Sequence, residues 1–412
     1  MAESKKKKLS RYERTKRHNA ICLCVFLAVL CLLAVSLCFS APLEHIINKN
    51  YYQQIEKQKE LQQSGGLVFN EGDLSVSYVS VNSADAIVIE LPDNKIMLID
   101  SAKKGESKDL LLNYLTEKVF NGWADKVIDY FIITHPDDDH YGGAVSVLND
   151  YDVKNIYRPK TLGYDEGERF KNDGVTTRED GYKVKGSSSK STYNKAIEAI
   201  YAEVAQGATM QYNEAGLIIE SGSGFANPYK FTFMAPYMDY YEDSNSYSAV
   251  LLLEYKQKQL LFTGDATGTT DDEVMNYANM HGISLKCDIL KVAHHGSSSN
   301  GSNGEQILNL VKPSYAIISC KEGAYSNLPA QAVLQRLEEC GVAKENILRT
   351  DVVGTVIVGF STTNQLMVMA GDEVIQFQKG DLVFIHWYYV AVALAVLSAS
   401  ITISQMRIIK KM

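Results

Sequence analysis

The sequence predicts an α/β fold flanked by one N-terminal and one C-terminal transmembrane helix. Three observations carry this. Strand-like apolar runs alternate with helical stretches through the middle of the chain. Several of those runs stop on His, Asp and Gly, where open α/β architectures place functional side chains. Two apolar runs near the chain ends are long enough to cross a hydrocarbon core of about 30 Å.

Residues 1–18 form a basic tail carrying Lys5, Lys6, Lys7, Lys8, Arg11, Arg14, Lys16 and Arg17. Residues 20–41 follow, 22 residues without a charge. A secretory h-region is usually about 7–15 residues, so this run reads as an uncleaved anchor, with cleavage near Ser40 and Ala41 as the rival. Residues 43–66 read as a polar linker helix ended by Gly65-Gly66. The second apolar run, 382–406, has His386, Trp387, Tyr388 and Tyr389 at one end, as an interfacial aromatic belt does. Arg407, Lys410 and Lys411 mark its other end in the tail 407–412. Basic flanks at both extremes predict a two-pass protein of the cell membrane with both termini cytoplasmic and residues 70–380 outside.

Within 70–380, SVSYVSVNSADAIVIELPDNKIMLID (75–100) reads as two strands joined at Pro92-Asp93-Asn94 and ending on Asp100. A helix is expected over 108–120. The apolar run Val127, Ile128, Tyr130, Phe131, Ile132, Ile133 leads straight into THPDDDHYGG, residues 134–143. That motif is His135-x-Asp137-x-Asp139-His140. Imidazole and carboxylate packed this closely suit a divalent cation, and Gly142-Gly143 let the backbone turn sharply. Taken alone, a solvated Asp-rich turn is the rival reading. Lys183–Lys195 reads as a solvated Ser/Lys loop over the site, and helices are expected over 193–205, 270–281, 303–311 and 329–340. LLLEYKQKQLLFTGD gives two strands ending on Asp265, and DILKVAHHGSS one strand ending on His294-His295. Four of the eight histidines therefore follow predicted strands.

Four of the seven cysteines lie in the first apolar run, leaving Cys287, Cys320 and Cys340. So sparse and odd a set excludes a disulfide scaffold and a zinc knuckle. The chain carries −8, while residues 1–18 hold +6 and Arg407, Lys410 and Lys411 hold +3, so the stretch between them is −17.

The motifs jointly resemble the metallo-β-lactamase superfamily, and within it the extracellular hydrolase domain of ComEC-type competence proteins. The likeness rests on VSVNSADAIVIELPDNKIMLIDSA, HPDDDH, SNSYSAVLLLEY, TGD (263–265), VAHHGS (292–297), KPSYAIIS (312–319) and RTDVVGTV (349–356), and covers roughly residues 74–360. That subgroup writes its first motif HxDxDH where many relatives write HxHxDH. The resemblance implies a four-layer αββα sandwich, two mixed β-sheets face to face with helices outside, and two divalent metal ions, Zn2+ or Mn2+. His135 and Asp137 would hold one and Asp139 and His140 the other. Asp265 would bridge them, and His294 would complete the site in preference to His295, with little to separate the two. Asp139 or His295 would serve as the catalytic acid. Asp100, Asn245 and Ser297 would support the ligands without binding metal. Two departures stand out. No histidine lies between His140 and His281, and Tyr325-Ser326-Asn327-Leu328-Pro329 lacks the His-Pro pair of many relatives, leaving Asn327 a hydrogen bond or an ordinary loop role.

The expected function is a membrane-anchored, extracytoplasmic, metal-dependent hydrolase, a phosphodiesterase or nuclease using a metal-bound hydroxide. A carbonyl hydrolase (lactone, thioester or β-lactam) and a non-catalytic metal-binding membrane protein are the alternatives. The first disagrees with the aspartate at 137, and the second rests on the missing His-Pro pair. A phosphodiester or small-molecule substrate fits, whereas an ectodomain this acidic disfavours nucleic acid unless a basic groove compensates.

Overall fold

The computed structural model describes residues 72–172, 182–324, 327–361, 366–371 and 373–377, all within one of the chain's two units, 61–380. The expected transmembrane helices at 20–41 and 382–406, the linker helix and both basic tails lie outside the described residues. Among the described residues no helix is long and apolar enough to cross a membrane.

The first strands run antiparallel, β1 (Leu74–Tyr78), β2 (Ile87–Glu90) and β3 (Ile96–Ile99). The turn expected between the last two forms at its predicted place. Asn94 takes φ 63° and its N–H donates to Leu91 C=O at 3.0 Å. Helix α1 (Glu106–Tyr114), continued by a π-turn over Leu115–Val119, crosses to β4 (Val127–Ile132), parallel to β3. Short helices α2 (Asp138–Tyr141) and α3 (Ala144–Asp150) lead to β5 (Asp152–Arg158), parallel to β4.

An insert follows, β6 (Thr161–Leu162), α4 (Tyr164–Asn172) and β7 (Lys183–Val184), with β6 and β7 paired parallel. Lys185 N–H donates to Leu162 C=O at 2.8 Å. The solvated Ser/Lys loop is thus corrected at its start, where Lys183–Lys185 are tied to β6, while Gly186–Lys190 are turn and bend. Helix α5 (Thr192–Gln206) begins where Ser191 Oγ accepts the Asn194 N–H at 3.2 Å and stops at left-handed Gly207. Its buried face is Tyr193, Ala196, Ile197 and Ile200, at helical spacing. It delivers the chain to β8 (Thr209–Tyr212).

The second sheet opens with antiparallel β9 (Ile218–Glu220), β10 (Tyr229–Ala235), β11 (Val250–Tyr255) and β12 (Lys258–Phe262). It continues in parallel through α6 (Gly268–His281), β13 (Ile289–Lys291), α7 (Glu305–Val311), β14 (Tyr315–Ile318), α8 (Gln331–Glu339) and β15 (Ile347–Arg349). After α9 (Thr350–Val353) the chain rejoins the first sheet with β16 (Val356–Phe360), β17 (Leu366–Ala370) and β18 (Glu373–Phe377). The strand orders are β18-β17-β16-β1-β2-β3-β4-β5-β8 and β15-β14-β13-β12-β11-β10-β9.

Side chains alternate across each strand, and that alternation sorts them into layers. Leu74, Val76 and Tyr78 of β1 meet Phe231, Phe233, Leu251 and Phe262 of the second sheet in one buried cluster. The opposite face of the first sheet, Val88, Leu98 and Phe131, is covered by Leu111 of α1 and by Ile197 and Ile200 of α5. Leu252, Leu261 and Leu290 of the second sheet are covered by Val274 of α6 and by Val333 and Leu337 of α8. The order is helix, sheet, sheet, helix. Each fully buried Leu or Phe contributes roughly 1.5–3 kcal/mol of burial.

This layering positions the site. β3 and β4 are parallel neighbours in one sheet, and β12 and β13 in the other. Their C-terminal ends carry Asp100, His135, Asp265 and His294-His295 to a common edge.

Candidate metal centre

Asp100 is the hub of the first sheet's contribution. It sits at φ 59° just past β3. Its Oδ1 accepts the Thr134 N–H at 2.7 Å, and its Oδ2 accepts the Thr134 hydroxyl at 2.8 Å. The same Oδ2 lies 2.7 Å from His140 Nδ1. That contact holds the His140 proton on Nδ1 and turns Nε2 toward the second sheet, where Asp265 Oδ1 lies at 3.3 Å. The expected sharp turn at Gly142-Gly143 has another cause. Gly143 has an ordinary φ of −91°, but a Cβ there would stand 2.1 Å from Ser101 C=O, so the β3 loop and the motif loop can approach only with glycine.

His135 is fully buried, its Nδ1 3.1 Å from Thr134 Oγ1. Its Nε2 has no hydrogen-bond partner and stands 3.8 Å from Asp137 Oδ2 and 3.9 Å from Asp265 Oδ2. An orphaned buried imidazole nitrogen is costly unless a ligand takes it. His135, His140 and Asp265 each place a donor atom within 4.8 Å of the others, and so do Asp139, His140 and His295. A third such set joins Asp85 and Asp100 to His140. Imidazole nitrogens and carboxylate oxygens converging around an orphaned Nε2 fit a divalent cation.

The grouping differs from the expected one in two places. Asp137 stands outside these sets. Its Oδ1 takes the Lys185 ammonium at 2.6 Å and its Oδ2 the Ser244 hydroxyl at 3.2 Å. Of the histidine pair, His295 is the member grouped with Asp139 and His140. His295 is buried, with Nδ1 2.8 Å from Ser319 C=O and Nε2 3.6 Å from Asp139 Oδ2. His294, favoured from the sequence, faces the cleft with Nε2 3.8 Å from Asp265 Oδ2. Both sit at positive φ, 52° and 53°. Asn303 braces this strained turn, its Nδ2 donating to Ala293 C=O at 2.9 Å and Ser297 C=O at 2.8 Å and its Oδ1 accepting the Ala293 N–H at 3.1 Å.

Three site residues escaped the sequence reading. Asn303 lies in a Ser/Asn/Gly stretch that reads as plain loop. Asp85 and Lys291 form an ion pair at 2.5 Å, both about 1% exposed. The pair spans the two sheets beneath the histidines, with Asp85 3.8 Å from both His140 Nδ1 and His295 Nδ1. The Asp85 N–H also donates to Asp139 C=O at 3.1 Å. A lysine inside the apolar strand DILKV was the available signal. The other expected supports line the cleft. Asn245 is buried with Oδ1 making no hydrogen bond, and Ser297 Oγ lies 2.7 Å from Ser299 Oγ. Asn327, at φ 77°, is exposed.

The electrostatics follow from burying charges of both signs together. Burial lowers the His140 imidazole, but Asp265 and Asp100 reverse that and hold it well above its usual value. His295 is likewise lowered by burial and raised past its usual value by Asp265 and Asp139. Burial pulls His135 down, and charge on His140 pulls it further. Asp265 is raised by burial, yet His140 and His295 bring it well below the carboxylate range. Asp139 goes the same way, chiefly through His295 and His140. The carboxylates are therefore ionised, the form that binds metal.

The site opens onto a cleft of about 720 Å³, whose walls include Lys103, Asp137, Lys185, Asn245 and His294.

A carboxylate- and imidazole-lined centre at the strand ends of an αββα sandwich defines a metal-dependent hydrolase fold. Residues 79–195 match the metallo-beta-lactamase superfamily. ComE operon protein 3 of Bacillus subtilis is 30% identical over 248 residues, covering 60% of this chain and 26% of that protein. Recombination protein 2 of Haemophilus influenzae is 25% identical over 262 residues, covering 64% of this chain and 25% of that protein. The chain thus spans about a quarter of the length of these curated relatives. Among solved structures, CmlA, a diiron β-hydroxylase from Streptomyces venezuelae, is 13% identical with a TM-score of 0.37, over 67% of this chain and 53% of that one. The domain is thus metallo-β-lactamase-like over residues 79–195 and ComEC-like in sequence.

Proposed function

We propose that the chain is a membrane-anchored phosphodiesterase whose catalytic domain faces outside the cytoplasm and works with two divalent ions, manganese or zinc. The observation that carries this reading is the oxygen-rich donor set. Asp139 and Asp265 stand among the imidazoles and Asp137 at the cleft wall. Carboxylates favour harder ions and phosphoryl chemistry, so manganese is as credible as zinc. The apolar runs 20–41 and 382–406 with their basic flanks support the anchoring.

His135, His140 and Asp265 would hold one ion, and Asp139 with His295 the other, the Asp265 carboxylate lying between the two groups. When bound, such ions polarise a phosphoryl oxygen and bring the pKa of water toward about 7. Asp100 keeps the His140 proton on Nδ1, and Ser319 C=O does the same for His295, so each Nε2 is presented to the centre. Lys103 and Lys185 bring positive charge to the phosphate.

The test is turnover by the detergent-purified full chain loaded with manganese or zinc. Cleavage of bis-p-nitrophenyl phosphate with p-nitrophenyl acetate inert supports the reading. Cleavage of the acetate alone moves the assignment to carbonyl substrates.

A further inference from the structure

The insert between β5 and α5 aims one lysine at the centre. Lys183 donates to Glu242 C=O and Lys160 pairs with Asp239, whereas Lys185 reaches the cleft wall and pairs with Asp137. This is a built position. Lys185 is tied to β6 through its own N–H. Gly167 of α4 lies so close to β7 that a Cβ there would stand 2.6 Å from Val184 Cγ2. The insert is fastened below by Arg158, fully buried, which donates to Thr161 C=O at 2.7 Å and to Glu166 at 2.5 Å. Glu166 in turn accepts the Gly163 N–H at 3.1 Å and the Tyr201 hydroxyl at 2.6 Å.

A lysine held this firmly at the cleft wall gives one ammonium donor to Asp137 and has two more for an anion in the cleft. Across the cleft Asn245 is buried with its carboxamide oxygen making no hydrogen bond. Rotated, the same carboxamide offers N–H donors to an anionic oxygen.

Resting on the phosphodiesterase reading, we propose that Lys185, with Asn245, forms the subsite for the substrate's non-bridging phosphate oxygens, and that the substrate is a short, compact phosphodiester rather than a long nucleic acid. The charge distribution argues for the size. The stretch between the basic tails carries −17, and two lysines, Lys103 and Lys185, line the cleft. Tracking a polyanion takes a stripe of cations that neutralises many phosphates. A cleft of about 720 Å³ with two ammonium groups suits one phosphate and its two substituents.

The test uses the manganese-loaded full chain and two variants, Lys185→Gln and Lys185→Arg, with circular dichroism to verify folding. Binding of inorganic phosphate, read by calorimetry without turnover, should weaken about tenfold in Lys185→Gln and recover most of its strength in Lys185→Arg. With bis-p-nitrophenyl phosphate, Lys185→Gln should raise KM at least tenfold while kcat changes less than threefold. Phosphate affinity and KM unchanged in a folded, active Lys185→Gln overturn the subsite and leave the phosphodiesterase standing. Phosphate binding that needs Lys185 in a protein that cleaves no phosphodiester keeps the subsite and removes the phosphodiesterase. A dinucleotide should be cut faster per bond than a long single strand, and the reverse ranking overturns the assigned substrate size.

Discussion

His140 Nδ1 lies 2.7 Å from Asp100 Oδ2 although the two residues are 40 positions apart in sequence. The contact joins the end of β3 to the end of β4 and settles which imidazole nitrogen faces Asp265.

Asp100→Asn should therefore damage metal binding more than folding. Asparagine tolerates the left-handed backbone at φ 59° and keeps the bond to the Thr134 N–H. It loses the carboxylate that fixes the His140 tautomer. Metal affinity should fall roughly 10–100-fold, as removal of such orienting partners does. Competition against a chelator measures it, and an unchanged affinity sinks the assigned role.

Chelation should lower the melting temperature. Removing the ion leaves His135 Nε2 buried without a partner, and a ligand at 100 times its Kd stabilises the folded state by about 2.7 kcal/mol. Adding manganese or zinc back should restore the transition in the wild type and do far less in His135→Ala. Equal shifts in both proteins would place the ion elsewhere.

The Asp85–Lys291 pair should matter most when half of it is removed. Lys291→Met leaves a buried carboxylate beside two histidines, and breaking a buried pair costs about 3–5 kcal/mol. The double variant Asp85→Asn/Lys291→Met should recover much of that loss. Denaturant unfolding of the singles and the double decides it, with strict additivity as the contrary result.

A pH effect is expected away from the centre. Burial, with a smaller contribution from neighbouring Asp272 and against a backbone hydrogen bond from Gly304, raises Asp271 to about 7. The unfolded value is about 3.9. Between these values the folded state binds more protons, so stability falls as pH rises. The stabilising contribution is complete below about pH 4 and is lost as pH passes through about 7. Asp271→Asn should flatten that slope and stabilise at pH 8 by on the order of 2–4 kcal/mol. Identical slopes between pH 5 and pH 8 would remove Asp271 as the cause.

The residues that converge at the candidate centre are local in sequence. His135, Asp139, His140, Asp265 and His295 each follow an apolar strand run within a few positions, and the alternation of those runs also gives the sheets. What escaped depends on distant pairing. Asp85 sits in an unremarkable Ser/Asn/Ala stretch, and only the second sheet's Lys291 gives it meaning. Lys185 reads as part of a solvated Ser/Lys loop until β6 pairs with β7. Helix α4, YDEGERFKN, carries a glycine and five charged residues, so no apolar periodicity announces it. It is held by the buried Arg158–Glu166 bond, which no local pattern reveals. The choice between His294 and His295 rests on backbone turns at φ 52° and 53°, which residue order does not encode.

The most direct test of the account compares the wild-type full chain with Asp265→Asn, both loaded with manganese, on bis-p-nitrophenyl phosphate, alongside the melting temperature of each. Asp265 reaches His135, His140, His294 and His295 within 3.9 Å. The account predicts metal-dependent cleavage by the wild type and at least a hundredfold loss in a folded Asp265→Asn. Cleavage by Asp265→Asn at the wild-type rate, or a metal-loaded wild type that leaves the phosphodiester intact, would contradict it.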